Sequence, residues 1–268
     1  MQPDQYRTMS TLLASTDPAE LHRGLAIVSA ATRGAEPGDA QQLCELVLPI
    51  FYIDPLDHPE HVPVIEEAIK TTADLGDTVI PTLIQNLEAG DVKAQMAIAQ
   101  ALGWMGAKAI MPLIDEYGSA CPDPSCRAFL LYALGKIKSA EIVKAAPLAI
   151  EAARSPDLEL RDTATRAIGK FIESIPGGSL PEDIRAGFLR ELQRNLADAS
   201  PGVRSKAVRS LGKMAKYGHL SAMERAQLKT TLTRILGEDE HFEWDRAYVV
   251  RKEAREALGY LSESFSAA

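Results

Sequence analysis

The sequence predicts an all-α protein built from stacked helical hairpins, an α-α superhelix, and three observations support this fold class. Helix-length segments recur along the 268 residues with Pro and Gly between them, while residues typical of strands are sparse. Five of the Gly residues that follow a Leu or Ile share a register, Gly103, Gly135, Gly169, Gly212 and Gly259. Eight positions before each Gly lie, in order, Gln95, Arg127, Arg161, Arg204 and Arg251. Such self-similarity indicates an array of stacked units.

The array is predicted to contain about seven hairpins, with boundaries good to a few residues. They cover residues 5–33, 40–76, 78–106, 108–138, 140–176, 181–218 and 221–261. Four helix starts show a capping side chain before a Pro at the first helical position. These are Asp17-Pro18, Asp123-Pro124, Ser155-Pro156 and Ser200-Pro201. Ser221 with Glu224 predicts a capping box.

The second helix of each of the last five hairpins has a predicted core face. Counted from the Gln95 or Arg position, offsets +3 and +7 are apolar or alanine in every unit and share one side of a helix. Offset +6 is always small: Ala101, Ala133, Ala167, Ser210 and Ala257. A Gly inside a helix costs about 1 kcal/mol relative to Ala, so the recurring Gly indicates close packing or a helix end.

Charge is distributed unevenly along the chain, whose formal net charge is -8. Residues 1–76 hold 4 Lys+Arg and 12 Asp+Glu, whereas residues 77–268 hold 25 of each. We therefore divide the chain into divergent acidic hairpins (1–76), a repeat array (77–261) and a C-terminal tail (262–268). The bulk acidity argues weakly against a dedicated DNA-binding protein.

Localisation is predicted to be cytoplasmic. The first fifteen residues lack the apolar segment of a secretory signal, and no run approaches the ~20 apolar residues that span a bilayer. Cys44, Cys121 and Cys126 are too few for a disulfide framework and suit a reducing compartment. Cys126 falls on a core position, which favours a buried thiol.

The segment from Val203-Arg204 to Ser210-Leu211-Gly212 resembles the second helix of a HEAT repeat, in the bacterial form related to the phycobilin-lyase HEAT-like proteins. The resemblance covers residues 77–261. It implies a solenoid whose second helices line a concave face, and an Asp in each inter-helix loop that meets the repeated Arg. Asp123 and Asp157, four residues before an Arg, are assigned to that structural ladder.

The helix face directed away from the core is the candidate partner-binding surface. Its residues form an aromatic cluster followed by a basic strip: Trp104, Phe129 and Tyr132, then Arg166, Lys170, Lys206, Arg209 and Lys213. No acidic residue lies between Asp198 and Glu224. This pattern predicts a groove that holds another protein, with aromatic anchors beside a strip for an acidic segment. The alternative interpretation is that the charged residues are ordinary solvated side chains and that the aromatic rings pack against neighbouring units.

An acidic insertion, residues 238–245, carries Phe242 and Trp244 and is a candidate second contact site. The alternative is that one of these rings folds back and caps the last hairpin.

A Pro-rich loop holds a dense group of metal-capable residues: Asp54, Asp57, His58, Glu60 and His61. Pro55 and Pro59 explain the loop without a metal, so solvated residues preceding a helix at Val62 are the favoured interpretation. The sequence contains no phosphate loop, nucleophile elbow or zinc-protease motif. No metal, no cofactor and no catalytic residue is expected.

These observations favour a non-catalytic scaffold, adaptor or assembly factor that binds a protein partner, without a membrane or nucleic-acid partner. One alternative follows from the resemblance, a tetrapyrrole (bilin or haem) lyase-like chaperone subunit. A second alternative is a nucleic-acid-binding HEAT-like protein, although the basic stretch is short.

Overall fold

A computed structural model describes residues 3–32, 36–87, 90–119, 121, 123–241 and 243–262. Every regular element in this part of the chain is helical, which confirms the predicted all-α fold. By contacts the chain separates into two compact units, which are described one at a time. The first is Met1–Pro122 with Lys136–Lys138, and the second is Asp123–Gly135 with Ser139–Ala268.

The first unit contains three hairpins and one further helix. Its helices are α1 (Pro3–Leu13), α2 (Pro18–Ala31), α3 (Pro37–Val47), α4 (Val62–Asp74), α5 (Ile80–Asn86), α6 (Val92–Met105) and α7 (Ile110–Ser119). Helices α2, α4 and α6 pack in succession as one layer, while α1 packs against α3 and α5 against α7. Phe51, Leu21 and Leu83 are among its fully buried side chains.

The second unit repeats this arrangement. Its helices are α8 (Pro124–Leu134), α9 (Ala146–Ala152), α10 (Leu158–Ser174), α11 (Glu182–Asn195), α12 (Pro201–Lys216), α13 (Ala222–Leu236) and α14 (Tyr248–Ser262). Helices α8, α10, α12 and α14 pack in succession, and α9, α11 and α13 pack on them as first helices of hairpins. Phe171, Phe188 and Leu192 form part of the core between these layers.

Each predicted hairpin contains two helices, and most of the helix starts agree with the sequence. The Asp17 carboxylate accepts a hydrogen bond from the backbone N–H of Ala19 at 2.9 Å, and Ser221 forms the predicted capping box. The prediction at Ser155-Pro156 is wrong, because α10 begins at Leu158. Its cap is Asp157, whose carboxylate accepts from the Leu160 N–H at 2.8 Å.

Consecutive second helices approach closely at the repeated Gly. A Cβ added at Gly212 would lie 2.8 Å from the Cβ and 3.2 Å from the Cα of Ala257 on the next helix. One added at Gly169 would lie 3.1 Å from the Cβ of Ser210. Gly259 lies on the last helix and would meet nothing within 4 Å. Gly169 with Ser210 and Gly212 with Ala257 therefore form a Gly–small seam between neighbouring helices, which is the close packing that the sequence predicts. Gly135 has no such contact, because the nearest atom of the next helix is the Lys170 Cβ at 3.7 Å.

The repeated Arg forms a ladder, with a different Asp from the one predicted. Arg204 donates to both carboxylate oxygens of Asp245, 2.7 and 2.9 Å away, and to the Asp198 carbonyl at 2.9 Å. The Arg161 Nε donates a single hydrogen bond to Asp198 Oδ2 at 2.7 Å. Each Asp thus belongs to the loop of the following repeat. The assignment of Asp157 to the ladder is wrong, because that carboxylate caps its own helix.

Two sequence inferences about the cysteines and the apolar runs change. Cys121 and Cys126 are both disulfide-bonded and Cys44 is a buried free thiol, so the predicted thiol at Cys126 is wrong.

The stretch Val92–Gly118 is long and apolar enough to cross a membrane, with 50% of its apolar window buried in the protein. Gly106, with a φ of 72°, and a short 3-10 turn separate its two helices.

The division of the chain at residue 76 rests on charge composition and stays a prediction, whereas the contacts divide the chain near residue 122. Residues 263–268 of the predicted tail lie outside the described residues.

The Gly–small seam makes a stability prediction with an internal control. Gly→Ala at an exposed helical site stabilises by up to about 1 kcal/mol, and we expect that sign for Gly259→Ala. Gly212→Ala forces a methyl group against the backbone of Ala257, and overpacking of this kind costs about 1–3 kcal/mol. Urea unfolding of both variants measures the difference. A Gly212→Ala protein as stable as Gly259→Ala would contradict the seam.

Candidate functional site

Helix α6 presents an apolar ridge to solvent. Val92, Met96, Gln100 and Trp104 follow one another at intervals of four residues, so their side chains form one row along the helix. Val92 is 56% exposed, Met96 49% and Trp104 52%. The other apolar residues of α6 pack inward, and Ile98 and Leu102 are fully buried. We call this row the α6 ridge.

The sequence identified Trp104 but missed Val92 and Met96. Both are apolar residues four apart that lie off the core stripe, and that spacing was the available signal. The exposed apolar surface of α6 is therefore larger than the sequence alone indicated.

The other two members of the aromatic cluster belong to the second unit. Phe129 and Tyr132 lie on α8 and are half-buried. The exposed Arg166 guanidinium of α10 lies over the Tyr132 ring, 5.5 Å from its centre. A cation over a ring at this distance contributes about 0.5–1 kcal/mol at an exposed site. This ring is thus engaged within its own unit.

The cations of the basic strip on α10 and α12 are largely paired with carboxylates of neighbouring helices. Lys206 of α12 pairs with Asp162 of α10. Arg209 of α12 pairs with the buried Glu253 of α14, and its Nε lies 2.8 Å from Oε2. The positive charge counted along α12 is therefore compensated at the surface by carboxylates 44 residues away in sequence.

A second ion-pair group joins Lys170, Glu173 and Lys213. The Lys213 Nζ lies 2.7 Å and the Lys170 Nζ 3.0 Å from a Glu173 carboxylate oxygen. Burial alone would raise the pKa of Glu173, but the two ammonium groups outweigh it and hold that pKa at about 2. The Lys213 side chain is only 14% exposed, and burial lowers its pKa despite the pairing. This part of the strip lies mostly beneath other side chains.

A different set of cations faces solvent around one buried carboxylate. Arg154, Arg190 and Arg194 converge on Glu191, which is 1% exposed. The Arg190 Nε donates to Glu191 Oε1 at 2.9 Å, and the Arg194 Nη1 lies 3.8 Å from Oε2. We call these three residues the arginine cluster; sequence reasoning missed it because they lie on a first helix and a loop.

The arginine cluster borders an open depression in the second unit. Its volume is about 550 Å³, and its lining includes Arg154, Arg161, Arg194 and the Asn195 side chain. Each of the three clustered guanidinium groups is about half exposed. Three cations share one carboxylate, so the cluster carries a local excess of positive charge. Such a surface attracts carboxylates or phosphates.

The acidic insertion places Trp244 in solvent, with 59% of its surface exposed. Trp244 therefore does not cap the last hairpin. Phe242, the other predicted contact residue of this segment, lies outside the described residues. The carboxylate of Asp245, at the end of the insertion, accepts a hydrogen bond from Arg204.

The Pro-rich loop of the first unit brings three of the five metal-capable residues together. One ligand atom from each of His58, Glu60 and His61 lies within 4.8 Å of the others. A fourth residue of this group, Asp54, forms an ion pair with Lys93 of α6.

No protein-family model matches the sequence, and no curated protein matches it. Solved structures do match. The archaeal HEAT-like repeats protein from Thermococcus onnurineus NA1 is 16% identical, with a TM-score of 0.52 and coverage of 97% of this chain and 98% of that one. Kap121p bound to Nup53p is 15% identical, with a TM-score of 0.60 over 96% of this chain and 29% of that one.

A third match is the complex of CpcE and CpcF of phycocyanin lyase from Nostoc sp. PCC7120. It is 21% identical, with a TM-score of 0.52, and covers 67% of this chain and 98% of that one. At these identities the likeness establishes the fold. The chain therefore has the HEAT-like repeat fold that its sequence predicts.

The Glu173 ion pairs predict a specific pH dependence of stability. A carboxyl group whose pKa falls on folding stabilises the protein above its unfolded pKa, and this contribution is lost as the pH falls. With values of 4.5 unfolded and about 2 folded, the loss reaches about 2 kcal/mol by pH 3. The free energy of unfolding, measured in urea at pH 6 and at pH 3, should therefore fall by about 2 kcal/mol less in Glu173→Gln than in the wild type. Glu141→Gln, at an exposed pair with Lys144, should retain the full wild-type loss.

Proposed function

We propose that the protein is a non-catalytic adaptor that binds a protein partner, and that the α6 ridge anchors this partner. The observation that carries the proposal is the exposure of the three apolar side chains of Val92, Met96 and Trp104 on one row of α6. Exposed apolar groups arranged in a row mark interaction surfaces more often than scattered ones do. The solved structures of like fold support a partner-binding role at the level of fold alone.

The energetics favour the α6 ridge over the basic strip as the anchor. Full burial of a large apolar side chain is worth about 1.5–3 kcal/mol, and Trp is among the commonest binding hot spots. The basic strip offers less, because an acidic partner segment must first displace Glu253, Asp162 or Glu173 from their cations. Exchanging one ion pair for another brings little net gain.

An acidic segment of the partner, if it has one, is better matched by the arginine cluster. Each of its cations is about half exposed, and they share a single buried carboxylate. Charges at such an accessible position act mainly on the association rate.

The two alternative functions have weaker support. Nucleic-acid binding needs a series of free cations that replace counterions along the phosphate backbone. Lys206, Arg209 and Lys213 are paired with carboxylates, and the arginine cluster offers only three side chains at one place. The tetrapyrrole-lyase alternative rests on a resemblance of fold, and a fold of this kind hosts many functions.

The α6 ridge can be tested by site-specific photo-crosslinking followed by affinity measurement. A benzophenone amino acid at Met96 should give one dominant protein adduct in the source cells, while the same group at Met223 should not. Met223 is the matched control, because it is an exposed methionine on α13 of the second unit. Mass spectrometry of the adduct identifies the partner.

With the purified partner, Trp104→Ala and Met96→Ala should each weaken binding. Loss of a hot-spot side chain costs about 2 kcal/mol, which corresponds to a Kd roughly 30-fold higher. Met223→Ala should leave the Kd within about twofold, as expected for a side chain outside the interface. Calorimetric titration measures all three. Equal affinities for the wild type and Trp104→Ala would eliminate the α6 ridge as the anchor.

The arginine cluster makes a kinetic prediction with the same partner. Arg190→Ala combined with Arg194→Ala should slow association several-fold at low salt, and the difference should vanish above ~0.3 M NaCl. Lys229→Ala, which removes an exposed cation from α13, should have no such effect. Surface plasmon resonance across a salt series separates these outcomes. An unchanged association rate would show that the cluster does not face the partner.

A further inference from the structure

We propose that His58, Glu60 and His61 form a binding site for a divalent transition-metal ion, with Zn²⁺ the representative. The sequence favoured a solvated loop at this position. What changes the inference is His61, which is 7% exposed and whose Nδ1 is buried without a hydrogen-bond partner. The other two side chains are about half exposed and lie beside it.

The separations of the ligand atoms suit a tetrahedral ion. Glu60 Oε1 lies 3.3 Å from His61 Nδ1 and 3.4 Å from His58 Nδ1. Zinc bonds of about 2.0–2.1 Å at tetrahedral angles place neighbouring ligands ~3.3 Å apart. The two imidazole rings meet edge to face, with centres 5.6 Å apart. All three ligand atoms lie within 4.8 Å of one another, so tetrahedral binding requires the exposed His58 side chain to move closer to His61.

The hydrogen bond of the other His61 nitrogen selects the ligating form of the ring. Nε2 lies 3.1 Å from the backbone carbonyl of Thr16, an acceptor that requires a proton on Nε2. The neutral ring then has no proton on Nδ1, and this nitrogen presents a lone pair toward Glu60. Metal-binding histidines commonly donate their second N–H to a backbone carbonyl in this way.

A buried acceptor without a partner costs about 1–3 kcal/mol. The 3.3 Å approach of Glu60 to His61 Nδ1 does not remove this cost, since the ionised carboxylate is also only an acceptor. A bound cation satisfies both groups at once. The same arrangement that is unfavourable without a ligand is therefore favourable with a metal.

The wider electrostatic environment also favours a cation. Residues 1–76 carry twelve acidic and four basic side chains, which lowers the potential experienced by a positive ion. The site precedes α4, whose N-terminal dipole opposes a cation by about 0.3–1 kcal/mol. That opposition is small beside the coordination of two imidazoles and a carboxylate, which together favour Zn²⁺ and its transition-metal neighbours over Mg²⁺ or Ca²⁺.

The experiment uses the full chain, purified without a histidine tag and stripped with a chelator. Zn²⁺ is titrated in competition with a chromogenic chelator, and Co²⁺ is titrated separately to obtain its visible spectrum. We expect one Zn²⁺ per chain with a Kd below ~10 µM, and an intense tetrahedral Co²⁺ spectrum, as three protein ligands provide.

Two substitutions at exposed ligands test the site without disturbing the fold. His58→Gln and Glu60→Gln should each weaken Zn²⁺ binding at least about tenfold. His22→Gln is the matched control, because His22 also pairs with a glutamate, Glu67, but belongs to no three-ligand group within the described residues. It should bind as the wild type does. A wild-type Kd above ~10 µM, or an equal loss in His22→Gln, would overturn the proposal.

Discussion

The close approach of consecutive second helices at the Gly–small seam is the constraint on which the second unit depends. A side chain as small as a methyl group at Gly212 would collide with Ala257. Helices held this close bring the flanking polar positions of one helix within reach of the next. The pairs Arg209–Glu253 and Lys206–Asp162 each join two neighbouring helices beside the seam. The packing of small residues thus determines the electrostatics of the surface.

The seam also explains which predictions from the sequence succeeded. The hairpins, the core stripe and the role of Gly follow from local periodicity, because a helix places residues three and four apart on one side. Ion pairs follow from the alignment of one helix against the next. Glu173 and Lys213 lie 40 positions apart, and no pattern within either helix reveals that they meet. The basic strip therefore appeared as uncompensated charge in the sequence.

The ladder was assigned to the wrong carboxylate for a related reason. Asp157 lies four residues before Arg161, and that spacing also suits a helix cap, which is its actual role. The Asp that does reach the guanidinium comes from the following loop, 37 residues later. Only the stacking of repeats shows this. Likewise, the sequence showed that metal-capable side chains cluster around His61. The burial of His61 and its hydrogen bond to Thr16 could not be predicted, because they depend on packing between segments 45 residues apart.

The contrast between the two kinds of surface carries the functional argument. On α12 and α14 the polar groups satisfy one another, and a partner gains little by exchanging one ion pair for another. On α6 the α6 ridge leaves about half of the surface of Val92, Met96 and Trp104 exposed, and these side chains are apolar. A partner that buries Trp104 and Met96 gains free energy without first breaking a contact. Of these two surfaces, the α6 ridge is therefore the one where association costs less.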